Sequence, residues 1–128
     1  MQFSEKMMDH FENPRNVGSL DESDPQVGLA SVTAGQCGDV TKLWLKIDDD
    51  GVITDVRFKT FGCGAAIASG SLATEWLKGR SIDDAVKIKD AHIAQELELP
   101  APKVHCSVLT EDAVRAAIDD WKRKNGKK

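Results

Sequence analysis

Apolar and polar residues alternate most regularly between positions 41 and 60. Thr41, Leu43, Leu45 and Ile47 are separated by Lys42, Trp44 and Lys46, the period of a strand with one buried face. Asp48-Asp49-Asp50-Gly51 is turn chemistry, with Asp50-Gly51 suited to positive φ. Val52, Thr54, Val56, Phe58 and Thr60 then alternate with Ile53, Asp55, Arg57 and Lys59, so the two runs predict a β-hairpin. Val27 to Thr33 predicts a strand before the hairpin, broken at positions 34–38 by two glycines around Cys37. Trp44 falls on the lysine-bearing side, where a covering helix is expected to shield it.

The remaining pattern is helical. Phe3 to Glu12 places Phe3, Met7, Met8 and Phe11 on one face, and Pro14 ends it. Residues 15–25 (RNVGSLDESDP) read as loop. Ala65 to Leu77 is rich in small residues and ends toward Gly79, a helix C-cap signal. Ser81-x-x-Asp84 opens a short helix, and Asp90 caps another through about Leu97. Leu99-Pro100-Ala101-Pro102-Lys103 is not helical, since proline lacks an amide donor. From Ser107 to Lys122, apolar residues at Val108, Leu109, Ala113, Val114, Ala117, Ile118 and Trp121 keep a helical period. Trp76 and Trp121 suit packing of helix on sheet, and His10 and His92 are expected at the surface or the core edge. Strands first and helices last predict an α+β fold rather than alternating α/β. One domain is expected over residues 1–128, with residues 1–20 a candidate mobile helix and loop and 123–128 a frayed basic tail.

Composition narrows the class. The 128 residues are 41% hydrophobic, an ordinary globular value that excludes disordered and low-complexity classes. No apolar run approaches the ~20 residues that span a bilayer, so no membrane partner is expected. Seventeen basic and 21 acidic residues give a net charge of -4, which argues against a nucleic-acid partner. The N-terminus lacks the apolar core of a secretory signal, so a cytoplasmic location is expected.

The three cysteines carry the chemistry. An odd count without a signal segment excludes a disulfide framework. Cys37 sits in G-Q-C-G-D, Cys63 in F-G-C-G-A and Cys106 in K-V-H-C-S, each at the end of an expected element. Cys63 and Cys106 precede expected helices, whose N-terminal field stabilises the thiolate that binds metal and attacks electrophiles. Asp39 follows Cys37 at i+2, and His105 adjoins Cys106. Three thiolates plus one carboxylate or imidazole suit zinc or iron–sulfur chemistry, whereas free cysteines buried in a core remain the inert alternative. Phosphate-loop, G-x-S-x-G and H-E-x-x-H motifs are absent from the sequence.

The chain resembles the IscU/NifU-type iron–sulfur cluster assembly scaffolds, nearer the IscU branch. The matching stretches are HFENPRNVG from His10, CGD at 37–39, FKTFGCGAAIASGS at 58–71, LATEWLKG at 72–79 and KVHCSVL at 103–109. The resemblance implies a three-stranded antiparallel sheet packed against several helices, the SufE/NifU-like fold. It implies that Cys37, Cys63 and Cys106 bind a transient [2Fe-2S] cluster, with Asp39 and His105 as accessory ligands and Lys103 at the site. Iron is then a substrate, and zinc is a candidate for the cluster-free form. Implied partners are a cysteine desulfurase that donates persulfide sulfur, a frataxin-like protein, a ferredoxin, Hsp70 and J-protein chaperones, and apo acceptor proteins, with a homodimer on cluster binding. A scaffold and carrier is implied, not an enzyme.

Two positions depart from the family's usual pattern. The chaperone-recognition segment commonly reads LPPVK and here is Leu99-Pro100-Ala101-Pro102-Lys103, and Gly35-Gln36 stands where Pro-Ala is common. The physical logic of a carrier remains: a hard carboxylate such as Asp39 is a weak partner for a soft cluster and favours release. Cys106, beside His105 and Lys103, is the expected first sulfur acceptor among the three cysteines. The competing readings are a SufU-like zinc protein, with the metal structural or serving sulfur acceptance, and a nucleophilic enzyme pairing Cys106 with His105.

Overall fold

The computed structural model describes residues 4–33, 39–62, 64–99 and 105–126, with the backbone alone at 90 and 105–107. Strands β1 (Val27–Thr33), β2 (Val40–Ile47) and β3 (Ile53–Phe61) form one antiparallel sheet in the order β1-β2-β3. Helix α1 (Glu5–Glu12) precedes the sheet, and α2 (Gly64–Leu77), α3 (Ile82–Ala85), α4 (Asp90–Leu97) and α5 (His105–Lys124) follow it. This is the expected α+β architecture, a three-stranded sheet with several helices in a single domain.

The hairpin forms where the alternation places it, with one correction. Lys46 faces Asp55 and Ile47 faces Ile53, so β3 carries an extra residue, Thr54. Such a bulge resets which side chains point inward. Ile53 is buried before it and Val56 and Phe58 after it, while Thr54 is exposed. Trp44 is covered, as expected, but by the loop at 19–22 rather than by a helix. Its Nε1 donates to Glu22 Oε1 at 3.3 Å.

Helix α2 is the centre of the molecule, with ten of its fourteen residues buried. A helix enclosed on nearly all sides has no polar face, which is why its sequence shows small residues and no amphipathic period. Helix α5 packs along β1 at close range: a Cβ on Gly28 would meet the Ala117 carbonyl and stand 3.0 Å from Trp121 Cβ. Its direction is set at three points. Lys124 Nζ donates to the Val27 carbonyl at 2.8 Å, the Leu29 N–H donates to Asp120 at 2.9 Å, and Trp121 Nε1 donates to the Ile47 carbonyl at 3.2 Å. The C-terminal end of α5 thus lies at the start of β1, and its N-terminal end at the Thr33 end of the sheet.

Several local expectations shift. Helix α1 starts at Glu5 behind a Ser4 N-cap; of the expected apolar face Met7 is buried, Met8 packs against the core, Phe11 is exposed and Phe3 lies outside the described residues. His10 is buried, farther in than the surface or core-edge position expected, whereas His92 is exposed. Lys89, not Asp90, is the N-cap of α4, and the Lys89 N–H donates to His92 Nδ1 at 3.3 Å. Helix α5 begins at His105 and runs to Lys124, with Val108 exposed rather than in the core. Trp121 packs on the sheet as expected, and Trp76, half-buried against the core, also lines a surface cavity beside α3 and α4. Pro100 to Lys103 lie outside the described residues. No helix among the described residues is long and apolar enough to cross a membrane.

Candidate metal centre

Four chain segments end at one edge of the molecule. Thr33, Val40 and Phe61 form a rung across the three strands. One residue beyond that rung stand Asp39, which opens β2, and Gly62, which closes β3. Helix α2 begins at Gly64, two residues on, and the N-terminal end of α5 with His105 and Cys106 lies at the same end of the sheet. The neighbours of Cys37, the neighbours of Cys63 and the backbone of Cys106 are thereby gathered at one pole, although their sequence positions span seventy residues.

Asp39 is the best-defined side chain of this pole. It is 6% exposed. Its carboxyl lies directly against Gly62, where a Cβ would stand 2.5 Å from Asp39 Cγ and 2.9 Å from its Cβ. Only the missing side chain at position 62 admits the carboxylate there. The N-termini of α2 and α5 lie at the same end of the sheet, and unpaired amides with the helix dipole present positive charge there. Neither α2 nor α5 carries an acidic residue in its first turn, so that positive field is not compensated within the helices.

The sequence-predicted residues fall into two groups. Asp39 is placed in full, and His105 and Cys106 are placed by backbone as the first two residues of α5. Cys37, Cys63, Pro100, Ala101, Pro102 and Lys103 lie outside the described residues. Leu99 is half-buried, and its N–H donates to the Ala94 carbonyl at 2.9 Å.

Two neighbours of the pole carry no chemical signature in the sequence, and a third residue, farther along α2, braces that helix. Phe11 covers the start of α2, with its ring 3.0 Å from where a Cβ of Gly64 would stand. Phe61, the last residue of β3, is 62% exposed beside Gly62. His10 ties α1 to α2 through Ser71 and Glu75. The Arg15 N–H donates to Ser71 Oγ at 2.9 Å. His10 Nε2 faces the Glu75 carboxylate, which only accepts, at 3.2 Å, so the neutral ring carries its proton there and Nδ1 accepts from the Ser71 hydroxyl at 2.8 Å. Burial, then the charge of Arg15, hold the His10 pKa below its ordinary value against the opposing pull of Glu75. Repetition of small hydroxyl residues in S-G-S-L-A-T was the available signal for this brace, and only packing shows its partner.

The NifU-like N terminal domain family matches this chain over residues 2–128. The chain belongs to that family. Among relatives of this NifU-like domain, the iron-sulfur cluster assembly scaffold protein IscU of Haemophilus influenzae is 60% identical over 126 residues, 98% of this chain and 100% of that protein. The protein of the same description from Azotobacter vinelandii is 57% identical, over 98% of both chains. The iron-sulfur cluster assembly enzyme IscU of Drosophila melanogaster is 59% identical, over 98% of this chain and 82% of its own. Among solved structures, a nitrogen-fixing NifU-like protein (N-terminal) from Brucella abortus superposes with TM-score 0.74 at 24% identity, over 94% of each chain. A putative iron-sulfur cluster assembly scaffold protein for the SUF system from Fervidobacterium islandicum gives TM-score 0.75 at 20% identity, over 90% of this chain and 95% of its own. At such identities the two structures speak to the fold.

Proposed function

We propose that this NifU-like domain is an iron–sulfur cluster assembly scaffold that builds a transient [2Fe-2S] cluster and passes it to apo-proteins. The observation that carries the reading is Asp39, a buried carboxylate seated on Gly62 at the pole from which the Cys37, Cys63 and Cys106 segments depart. The donor set suits the cargo. Thiolates are the soft ligands that iron–sulfur clusters take, and Asp39 or His105 in the fourth place leaves one bond weaker than the rest. A carrier needs that weakness, since a cluster held by four thiolates leaves slowly.

Sulfur enters as persulfide from a cysteine desulfurase. The Cys106 thiolate, in the first turn of α5, attacks the terminal sulfur of the donor persulfide. A new S–S bond forms on Cys106, the donor's S–S bond breaks, and the donor leaves as thiolate. A ferredoxin-type electron donor reduces the bound sulfur to sulfide as iron, a substrate, joins the three cysteines. The protein turns over no small molecule and acts as a scaffold rather than an enzyme. Further proposed partners are a frataxin-like protein and, at Leu99 to Lys103, an Hsp70 and J-protein pair. Two copies sharing a cluster account for a dimer that depends on loading.

Anaerobic reconstitution with iron, cysteine and a desulfurase tests the reading through the visible spectrum. Sulfur-to-iron charge-transfer bands on this protein, which are found on the ferredoxin once an apo-ferredoxin is added and the two are separated, are the expected result. Tight colourless metal with no such bands would assign the ligands to zinc instead.

A further inference from the structure

At the far end of α2 from the candidate metal centre, a second kind of surface appears. Fourteen residues of helix at ~1.5 Å rise each put it about 20 Å from Gly64. There Trp76, Arg80, Asp84, Lys87, Ile88 and His92 line a cavity of about 340 Å³ between the end of α2, α3 and α4. Trp76 and Ile88 are half-buried and supply an apolar floor, while the four polar residues are exposed.

The polar groups are left with donors to spare. Arg80 Nε donates to the Trp76 carbonyl, which holds the guanidinium beside the indole. Both of its Nη groups lack a partner among the described residues. Lys87 stands 3.9 Å from Asp84, and both side chains are mostly exposed, so this pairing is weak. His92 Nδ1 accepts from the Lys89 N–H at 3.3 Å, which turns Nε2 away from that bond. Two permanent cations against one carboxylate leave one net positive charge, in a chain whose net charge is -4. Tryptophan and arginine side by side, with an apolar floor and unused donors, match the composition of interface hot spots.

We propose that this cavity docks an acidic segment of a partner protein, which sets an apolar side chain on Trp76 and Ile88 and carboxylates against Arg80, Lys87 and His92. Charge complementarity selects the occupant: the ring of donors faces a single acid, and an apolar ligand alone would leave the guanidinium unpaired. The docked segment sits at the opposite end of α2 from Gly64, so a partner held here leaves that pole open.

A short blocked peptide with leucine flanked by glutamates is the probe, titrated into the full-length ¹⁵N-labelled protein. Saturable movement of the Trp76 indole signal, identified with Trp76→Phe, is expected. The doubly substituted Arg80→Glu, Lys87→Glu protein should bind about tenfold more weakly or worse, with an unchanged amide spectrum elsewhere and unchanged cluster yield on reconstitution. Replacing the glutamates of the peptide by glutamine should abolish binding. An unmoved Trp76 signal, equal affinity for the charge-reversed protein, or shifts spread equally over Lys42 and Lys59 would each overturn the proposal. So would matching shifts with inorganic phosphate alone, which would make this a small-anion site.

Discussion

The Asp39 carboxyl occupies the space that a side chain on Gly62 would fill, 2.5 Å from Asp39 Cγ to that absent Cβ. The residue before β2 and the residue after β3 are therefore one packing unit, created by the Val40–Phe61 pairing beside them. Gly62→Ala should displace the carboxylate and cost about 1–3 kcal/mol by overpacking. In an Asp39→Gly background, which removes both the carboxyl and the Cβ 2.9 Å away, the same change should cost less, a coupling that a double-mutant cycle in urea reads directly. Equal costs in the two backgrounds would contradict the contact.

Asp39→Ala should also lengthen the life of a reconstituted cluster and slow its transfer to an apo-acceptor. The reason is the loss of the one hard oxygen donor placed at the pole. Transfer followed by the growth of holo-ferredoxin gives the rate. An unaltered rate and lifetime would remove Asp39 from the release step.

Cys106→Ser should abolish most persulfide labelling by the desulfurase, while Cys37→Ser and Cys63→Ser retain it. The position of Cys106 in the first turn of α5, which carries no acidic residue, favours its thiolate. Mass spectrometry of the sulfur adduct distinguishes the three proteins. Full labelling of Cys106→Ser would assign first acceptance elsewhere.

Acid should weaken the fold through His10. Its folded-state pKa is depressed, first by burial and then by Arg15, so the unfolded chain binds the proton more readily. The stability that neutral His10 contributes is complete above its ordinary value of about 6.5 and is lost as pH falls through the lowered native value. The groups around it, Arg15, Glu75, Asp9 and Lys6, set that balance together. Urea midpoints should fall over this range in the native protein and fall less in His10→Gln. A separate loss of about 1–3 kcal/mol is expected for Ser71→Ala, which strands His10 Nδ1 without its donor. Parallel pH profiles for the native protein and His10→Gln would exclude the histidine as the source.

Much of the fold was legible because its signals are local. Thr41 to Ile47 alternate because the sheet buries one face, and Ser81 caps α3 through the Asp84 N–H at 3.2 Å, within reach of its own side chain. What could not be read depends on residues far apart in sequence. Thr54 looks like any strand position until Ile53 pairs with Ile47 and forces the bulge. His10, between Asp9 and Phe11, carries no local sign of burial, yet Ser71, sixty-one residues on, makes that burial tolerable. Trp76 carries the same pattern as Trp121 and packs against the core, yet only the structure shows that it also lines a cavity with residues of α3 and α4.

By itself the sequence determined the chemistry available: three soft thiols, a carboxylate, an imidazole, and glycines beside two of the cysteines. It also determined the strands and helices that carry them, since periodicity and caps act over a few residues. The tertiary structure decided where that chemistry gathers. Antiparallel pairing brings Asp39 onto Gly62, and α5, anchored at Trp121 and Lys124, returns its N-terminus to the same end of the sheet. Distance along a chain says nothing about distance in space until strands pair and helices choose a direction, and that choice is made by packing across the whole core.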